Sequence, residues 1–172
     1  LINHLGFVNK RDRFEIYCSK GGVKYFKSLP SNFKIIVSPF SNRILTEQIW
    51  LPNVCNKSKS ELIHLTTLGP SFFIRKKSVI TIHDVVPWKF KNTISAGMKY
   101  YYKPFLTHYV KHKKPKILTV SDSSKKDISQ LFCIPYSDIY RVYIGKTDSF
   151  KRSPQTLINY VRQKYRLPKK YL

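Results

Sequence analysis

Residues 79–88 read Val-Ile-Thr-Ile-His-Asp-Val-Val-Pro-Trp. The opening β-branched run has the make-up of a buried strand, and it gives way to a histidine, an aspartate and a proline. A strand over 79–83 that ends on titratable residues is therefore expected. Downstream, Met98, Tyr101, Tyr102, Phe105, Tyr109 and Val110 share one helical face. Ser95 is placed to cap that helix, and Pro104 should kink or split it. Runs at 117–121 and 138–144 read as further strands. Between them Ser124 and Asp127 resemble a capping box with Asp in place of Glu, opening a helix that carries Ile128, Leu131 and Phe132 and stops before Pro135. Pro154 opens a last helix with Leu157, Ile158, Val161 and Tyr165 on its apolar side. Upstream, 13–18, 34–38 and 61–65 supply three more strands.

Strands alternating with helices at spacings of roughly 20 to 35 residues predict βαβ units, hence a parallel sheet covered by helices. The expected class is α/β, a Rossmann-like parallel sheet with helices on both faces. With 172 residues, of which Leu, Ile, Val and Phe make up about 31%, the chain has the apolar content to fold as one domain. No internal repeat or low-complexity tract interrupts it. In such sheets ligands bind beyond the carboxyl ends of the strands, so the residues just after each strand are the ones to weigh.

The charge balance is lopsided. Lys and Arg number 32 against 9 Asp and Glu, a net +23. Such a field attracts nucleic acid, anionic lipid or phosphorylated sugars. Lys outnumbers Arg three to one, which fits AT-rich codon usage and argues against bidentate base reading. Between Asp84 and Asp122 there is no acid, while Lys89, Lys91, Lys99, Lys103, Lys111, Lys113, Lys114 and Lys116 all fall there, so one side of the molecule is expected to be positive. Cys18, Cys55 and Cys133 are odd in number and far apart, which writes neither a disulfide framework nor a close-spaced zinc site. Each is expected to pack as a small buried hydrophobe in a reduced, cytoplasmic compartment. No apolar run reaches the roughly 18 residues of a membrane span, and no signal-peptide pattern opens the chain. Leu1 falls inside what reads as the end of a helix, so a piece of a longer protein is expected.

Of the residues after strands, His83 can act as acid, base or hydrogen-bond donor near neutral pH, with Asp84 beside it to orient it. The plainer alternative is that His83 caps the strand and Asp84 accepts loop amides. Ser121 precedes a helix whose free amides and dipole suit a phosphate or sugar oxygen, or it is simply a cap. His64 is a weaker candidate of the same kind. The six glycines form neither a dinucleotide fingerprint nor a P-loop, and no serine sits in a nucleophile elbow.

The order of these pieces is more specific than any one of them. His83-Asp84-Val-Val-Pro-Trp88, a long basic helix, Ile117-Leu-Thr-Val-Ser-Asp-Ser-Ser-Lys-Lys-Asp-Ile128, Asp138-Ile-Tyr-Arg-Val-Tyr-Ile-Gly145, and a helix ending Tyr165-Arg-Leu-Pro168 follow in turn. This string resembles the amino-terminal domain of retaining glycosyltransferases of family 4, whose GT-B fold pairs two Rossmann-like domains. There a strand ending His-Asp, a long helix, a strand ending Val-Ser, a strand ending Asn-Gly and a helix ending Tyr-Gly-Leu-Pro recur in that order. The resemblance covers residues 63–172 well and the earlier part thinly.

The resemblance implies an acceptor-side domain over residues 1–166 lacking its first strand. Residues 167–172 would begin a linker or strand toward a nucleotide-sugar domain. It implies retaining transfer from a nucleotide-diphosphate sugar to a polysaccharide or lipid-linked acceptor, with no tightly bound cofactor and no metal. His83 would hydrogen-bond the transferred sugar or the developing charge, Asp84 would be its loop partner, and Ser121, Gly145 and His64 would contact substrate. Lys111, Lys113 and Lys114 would meet an anion or an anionic membrane surface, on the inner face of the cytoplasmic membrane, or form a plain solvated face, with no specific nucleic acid as partner. The chain departs from the family at Ile144-Gly145-Lys146-Thr147, where many members have Asn-Gly-Val-Asp. Two rival readings are a basic nucleic-acid-binding module, although no RNP, KH or helix-turn-helix pattern is present, and an inactive remnant of a broken gene.

Overall fold

A computed structural model describes residues 2–26, 28–66, 69–90, 92, 94–145 and 151–168. The chain is α/β with every strand pairing parallel. Strands β3 (Leu62–Leu65), β4 (Lys77–Thr81), β5 (Lys116–Thr119) and β6 (Ile139–Arg141) form one sheet in that order. Strands β1 (Phe14–Cys18) and β2 (Phe33–Val37) form a second, in register from Phe14 opposite Phe33 to Cys18 opposite Val37. The Phe14 and Phe33 rings stack at 4.7 Å across that pair. All six expected strands are present, but as two sheets instead of one. The facing edges of β1 and β3 pair with nothing among the described residues and enclose a cavity of about 1140 Å³.

The core lies on the four-stranded sheet. Ile63, Leu65, Ile80, Ile82, Ile117 and Ile139 are buried from the strands. Against them pack Leu106, Tyr109 and Val110 of α5 (Lys103–Lys113) and Ile128 and Phe132 of α6 (Asp122–Phe132). The buried Tyr109 hydroxyl is satisfied by Ser78 Oγ at 2.7 Å, and burial raises its pKa.

Two prolines reshape two helices in the same way. Proline has no N–H to give the carbonyl four residues back, and its ring collides with that carbonyl. Helices α2 (Arg43–Leu45) and α3 (Leu51–Lys57) are joined by a wide π turn, Thr46–Trp50, just ahead of Pro52, and the Leu51 N–H reaches back to Thr46 O. Met98–Tyr102 is a second π turn ahead of Pro104, with the Lys103 N–H on Met98 O. The long helix is thus split as expected, and Ser95 caps its start by accepting the Met98 N–H. The extra residue in the turn advances the buried face by one position, about 100°. Leu106, outside the predicted stripe, is therefore fully buried, while Phe105 is only half-buried.

Helix α7 (Gln155–Lys164) follows Pro154 as expected, yet it buries none of its apolar side chains. Arg166 in the left-handed region and the Leu167 N–H on Arg162 O close it in a Schellman turn. Leu167 therefore ends a helix, while 169–172, the rest of the expected linker, lie outside the described residues. Of the cysteines, Cys55 is buried as expected, whereas Cys18 is half-buried and Cys133 is exposed. Cys133 ends α6 at φ 55°, and that cap turns its side chain outward.

Candidate functional site

The carboxyl ends of β4, β5 and β6 lie side by side. The ladder runs past the strands proper, with Ile82 N–H on Leu118 O at 2.9 Å and Val142 N–H on Thr119 O at 2.7 Å. With neighbouring strands about 4.8 Å apart, the loops after β4 and β6 stand about 10 Å apart with the β5 loop between them. His83, Asp84, Ser121 and Gly145 therefore share one edge.

On that edge His83 is exposed, and its ring has no hydrogen bond, ion pair or ring partner among the described residues. Asp84 does not orient it. The Asp84 Oδ1 accepts the Val86 N–H at 2.9 Å, at the start of the short helix α4 (Val86–Lys89). The first amides of a helix lack partners, and an aspartate two residues upstream satisfies one of them in an Asx turn. Ser121 is likewise committed, its Oγ accepting the Ser124 N–H at 3.1 Å and contacting Ser124 Oγ at 3.0 Å. Its extended backbone, φ −150° and ψ 161°, makes it the N-cap of α6. Ser124, expected to be the cap, lies within the first turn. Asp127, its expected capping partner, instead pairs with Lys89 Nζ at 2.7 Å, tying α4 to α6.

Two neighbours escaped the sequence reading. Arg141, the last residue of β6, pairs with Asp122 at the start of α6 and stacks on the Tyr143 ring at 4.3 Å. Thr119 Oγ1, at the end of β5, is buried with no hydrogen-bond partner among the described residues. A pair 19 residues apart and a strand-end hydroxyl leave no local signal. Gly145 is exposed, and a methyl group added there would meet nothing within 4 Å, so its described surroundings do not require glycine. Lys146 and Thr147 lie outside the described residues, as does Lys91.

The other candidates sit elsewhere. His64 lies within β3, not after it, and its Nε2 meets Thr81 Oγ1 of β4 at 2.8 Å. It faces the cavity between the two sheets, where desolvation lowers its pKa. Lys111, Lys113 and Lys114 are exposed at the carboxyl end of α5, beside the start of β5 and so at the opposite edge of the sheet from His83. Cations there also complement the helix dipole. Tyr101 and Tyr102, read on the apolar face of the helix, turn inward to a cluster joining the two π turns. Gln48 Nε2 donates to Tyr101 OH at 2.9 Å, Arg43 Nε pairs with the buried Glu47 at 2.8 Å, and Arg43 stacks on Tyr102 at 4.7 Å. Among the described residues no group of three or more His, Cys, Asp or Glu side chains could hold a metal ion. No helix of the described residues is long and apolar enough to cross a membrane.

No known family model matches this chain, and no curated protein matches it.

Proposed function

We propose that this chain is the acceptor-side part of a retaining glycosyltransferase, moving a sugar from a nucleotide-diphosphate donor to a polysaccharide or lipid-linked acceptor in cell-surface glycan synthesis. The observation that carries the reading is the contrast along one sheet edge. Asp84 and Ser121 are occupied in shaping their loops, while His83 between the β4 strand and α4 stands exposed with no partner among the described residues. Edges of this kind are where parallel α/β sheets bind ligands. An uncommitted imidazole there can donate to a sugar hydroxyl or to the oxygen on which charge develops as the nucleotide diphosphate leaves. A second domain supplies the donor site, and the chain works at the cytoplasmic face of the membrane, with Lys111, Lys113 and Lys114 toward anionic lipid.

Titrating the ¹⁵N-labelled chain with glycan and lipid-linked acceptors tests this. Shifts at the His83, Ser121 and Gly145 amides, with none at His64, are expected. In an active transferase containing this chain, His83→Ala should lower kcat by about 10²-fold with folding intact. An unchanged kcat would return His83 to capping the strand. Shifts produced by RNA of defined sequence at physiological salt, with none from any acceptor, would favour the nucleic-acid module.

A further inference from the structure

We propose that a groove at the amino-terminal edge of the four-stranded sheet binds a small aromatic phosphate, a flat ring carrying a phosphate monoester. It lies at the opposite edge from His83 and stands independently of the transferase reading.

The groove, about 450 Å³, runs between α3 with the π turn before it and the loop that leads into β4. Small-molecule sites span about 300–1,000 Å³ and pair apolar walls with a few polar groups. The apolar part here is Ile49, Pro52, Phe72 and Phe73. Phe72 is packed, its ring 4.5 Å from that of His108 and 5.8 Å from that of Tyr109. Phe73 is 68% exposed and Ile49 58%.

The exposure of Phe73 is built into the loop. Its N–H bonds Ser71 Oγ at 3.3 Å and its carbonyl accepts Asn56 Nδ2 at 2.8 Å, while Asn56 Oδ1 takes the Arg75 N–H at 2.9 Å. Ser71 is fully buried and Ile74 nearly so, which anchors the turn on both sides of the ring. One amide thus grips the loop before and after Ile74 and holds Phe73 in water. A backbone already fixed has little freedom left to lose when a ligand settles on that ring, and such preorganisation favours binding.

Charge selects the occupant. Arg75 and Lys113 also line the groove, both exposed and neither paired with an acid among the described residues. No acidic side chain lines it among those residues. Arg75 offers a planar fork to two oxygens and Lys113 a point charge. A purely apolar ligand would leave two cations unanswered, and a bare anion would leave Phe73 uncovered. A flat ring can stack against Phe73 while its anionic group meets the cations. Two cations match the charge of a phosphate monoester, close to −2 at neutral pH, better than the single charge of a carboxylate.

The probe is 1-naphthyl phosphate, titrated into the ¹⁵N-labelled chain. The Phe73, Arg75 and Lys113 amides should shift in a saturable way, and the His83 amide should not. 1-Naphthol, the ring alone, and inorganic phosphate, the charge alone, should each bind at least about tenfold more weakly. Arg75→Gln should weaken the probe by about tenfold and Phe73→Ser by about fivefold. Lys111→Gln and Lys114→Gln, outside the groove, should change its affinity by less than about twofold. All four positions are exposed, so the variants should keep the fold, which their remaining amide spectra check. No saturable shift with the probe would overturn the proposal, as would equal affinity for inorganic phosphate or an affinity untouched by Phe73→Ser. Shifts at Phe73 that grow with chain concentration in the absence of probe would assign the ring to a second copy and overturn it. Binding to anionic vesicles that depends on Phe73, with no response to the probe, would assign the ring to a membrane and overturn it too.

Discussion

Gly69→Ala should destabilise the chain by about 2–3 kcal/mol. A methyl group at this position would stand 2.2 Å from Glu47 Oε2, 2.7 Å from its Cδ and 3.0 Å from Tyr102 Cε1. No carbon tolerates such contacts, so either the loop or the carboxylate must move. If the loop yields, the cost is that of overpacking, about 1–3 kcal/mol. If the carboxylate yields, it leaves Arg43 at 2.8 Å and Tyr101 at 3.4 Å. Removing the partner of a buried ion costs about 3–5 kcal/mol, but Arg43 is 59% exposed, so solvent screens part of that loss. The two routes converge on about 2–3 kcal/mol, or a fall of about 4–12 °C in Tm for a chain of this size. Urea unfolding followed by circular dichroism should be run on Gly69→Ala, Glu47→Ala and the pair. With Glu47 already cut back to alanine only the tight contact with Tyr102 Cε1 remains, so Gly69→Ala should then cost under about 1 kcal/mol, a coupling of at least about 1 kcal/mol. A loss of the same size in both backgrounds would refute the steric argument.

Thiol labelling should follow the burial order. Cys133 reacts first with iodoacetamide, Cys18 more slowly, and Cys55 only on unfolding, because burial both hides it and pushes its pKa up to about 11; early modification of Cys55 by mass spectrometry would contradict this. His64 makes stability depend on pH. Desolvation lowers its pKa, so the unfolded chain binds more protons, and stability should fall as pH drops through the ordinary histidine value of about 6.5 toward the lower folded pKa. His64→Asn should flatten that part of the profile, and an unaltered slope would assign it to another group. Vesicles of anionic lipid should bind through Lys111, Lys113 and Lys114 and be released by salt. Charge reversal at those three positions should weaken vesicle binding markedly while leaving the His83 amide unmoved, since a strand's length of about 15 Å separates the two edges. A shift at His83 on vesicle binding would place both roles on one surface.

The existence of every strand was legible because β-branched runs mark strands whatever they pair with. Their ends were not. The apolar run 79–83 outlasts β4, which stops at Thr81, and the run 138–144 shrinks to Ile139–Arg141 in β6. A strand lasts only as long as its neighbour, and neighbours are chosen by tertiary pairing that no local pattern writes. The split into two sheets is invisible for the same reason, since β1 reads the same whether one edge or both are paired. Pro104 did announce its effect, because a missing N–H is a local fact. The cap of α6 fell between two serines three residues apart, and only the extended backbone at Ser121 decides between them.

The site was half legible for a physical reason that also explains the charge. Acids are scarce, and the structure uses them as internal ties. Glu47 holds Arg43, Asp127 holds Lys89, Asp138 holds Lys116 and Asp122 holds Arg141, while Asp84 holds the α4 amide and Glu15 reaches Ser60. Adjacency in sequence suggests Asp84 as the partner of His83, but adjacent residues on an extended segment point to opposite sides. An aspartate before a helix also has a nearer claim on it, the unpaired amide two residues ahead. What this leaves at the carboxyl edge is an imidazole without an acid to charge it, flanked by a guanidinium already neutralised by Asp122. Positive charge reaches that edge from the opening of α6, where Lys125 stacks on Tyr136 at 4.0 Å beside Lys126, while the lysine cluster 111–114 lies at the other edge of the sheet.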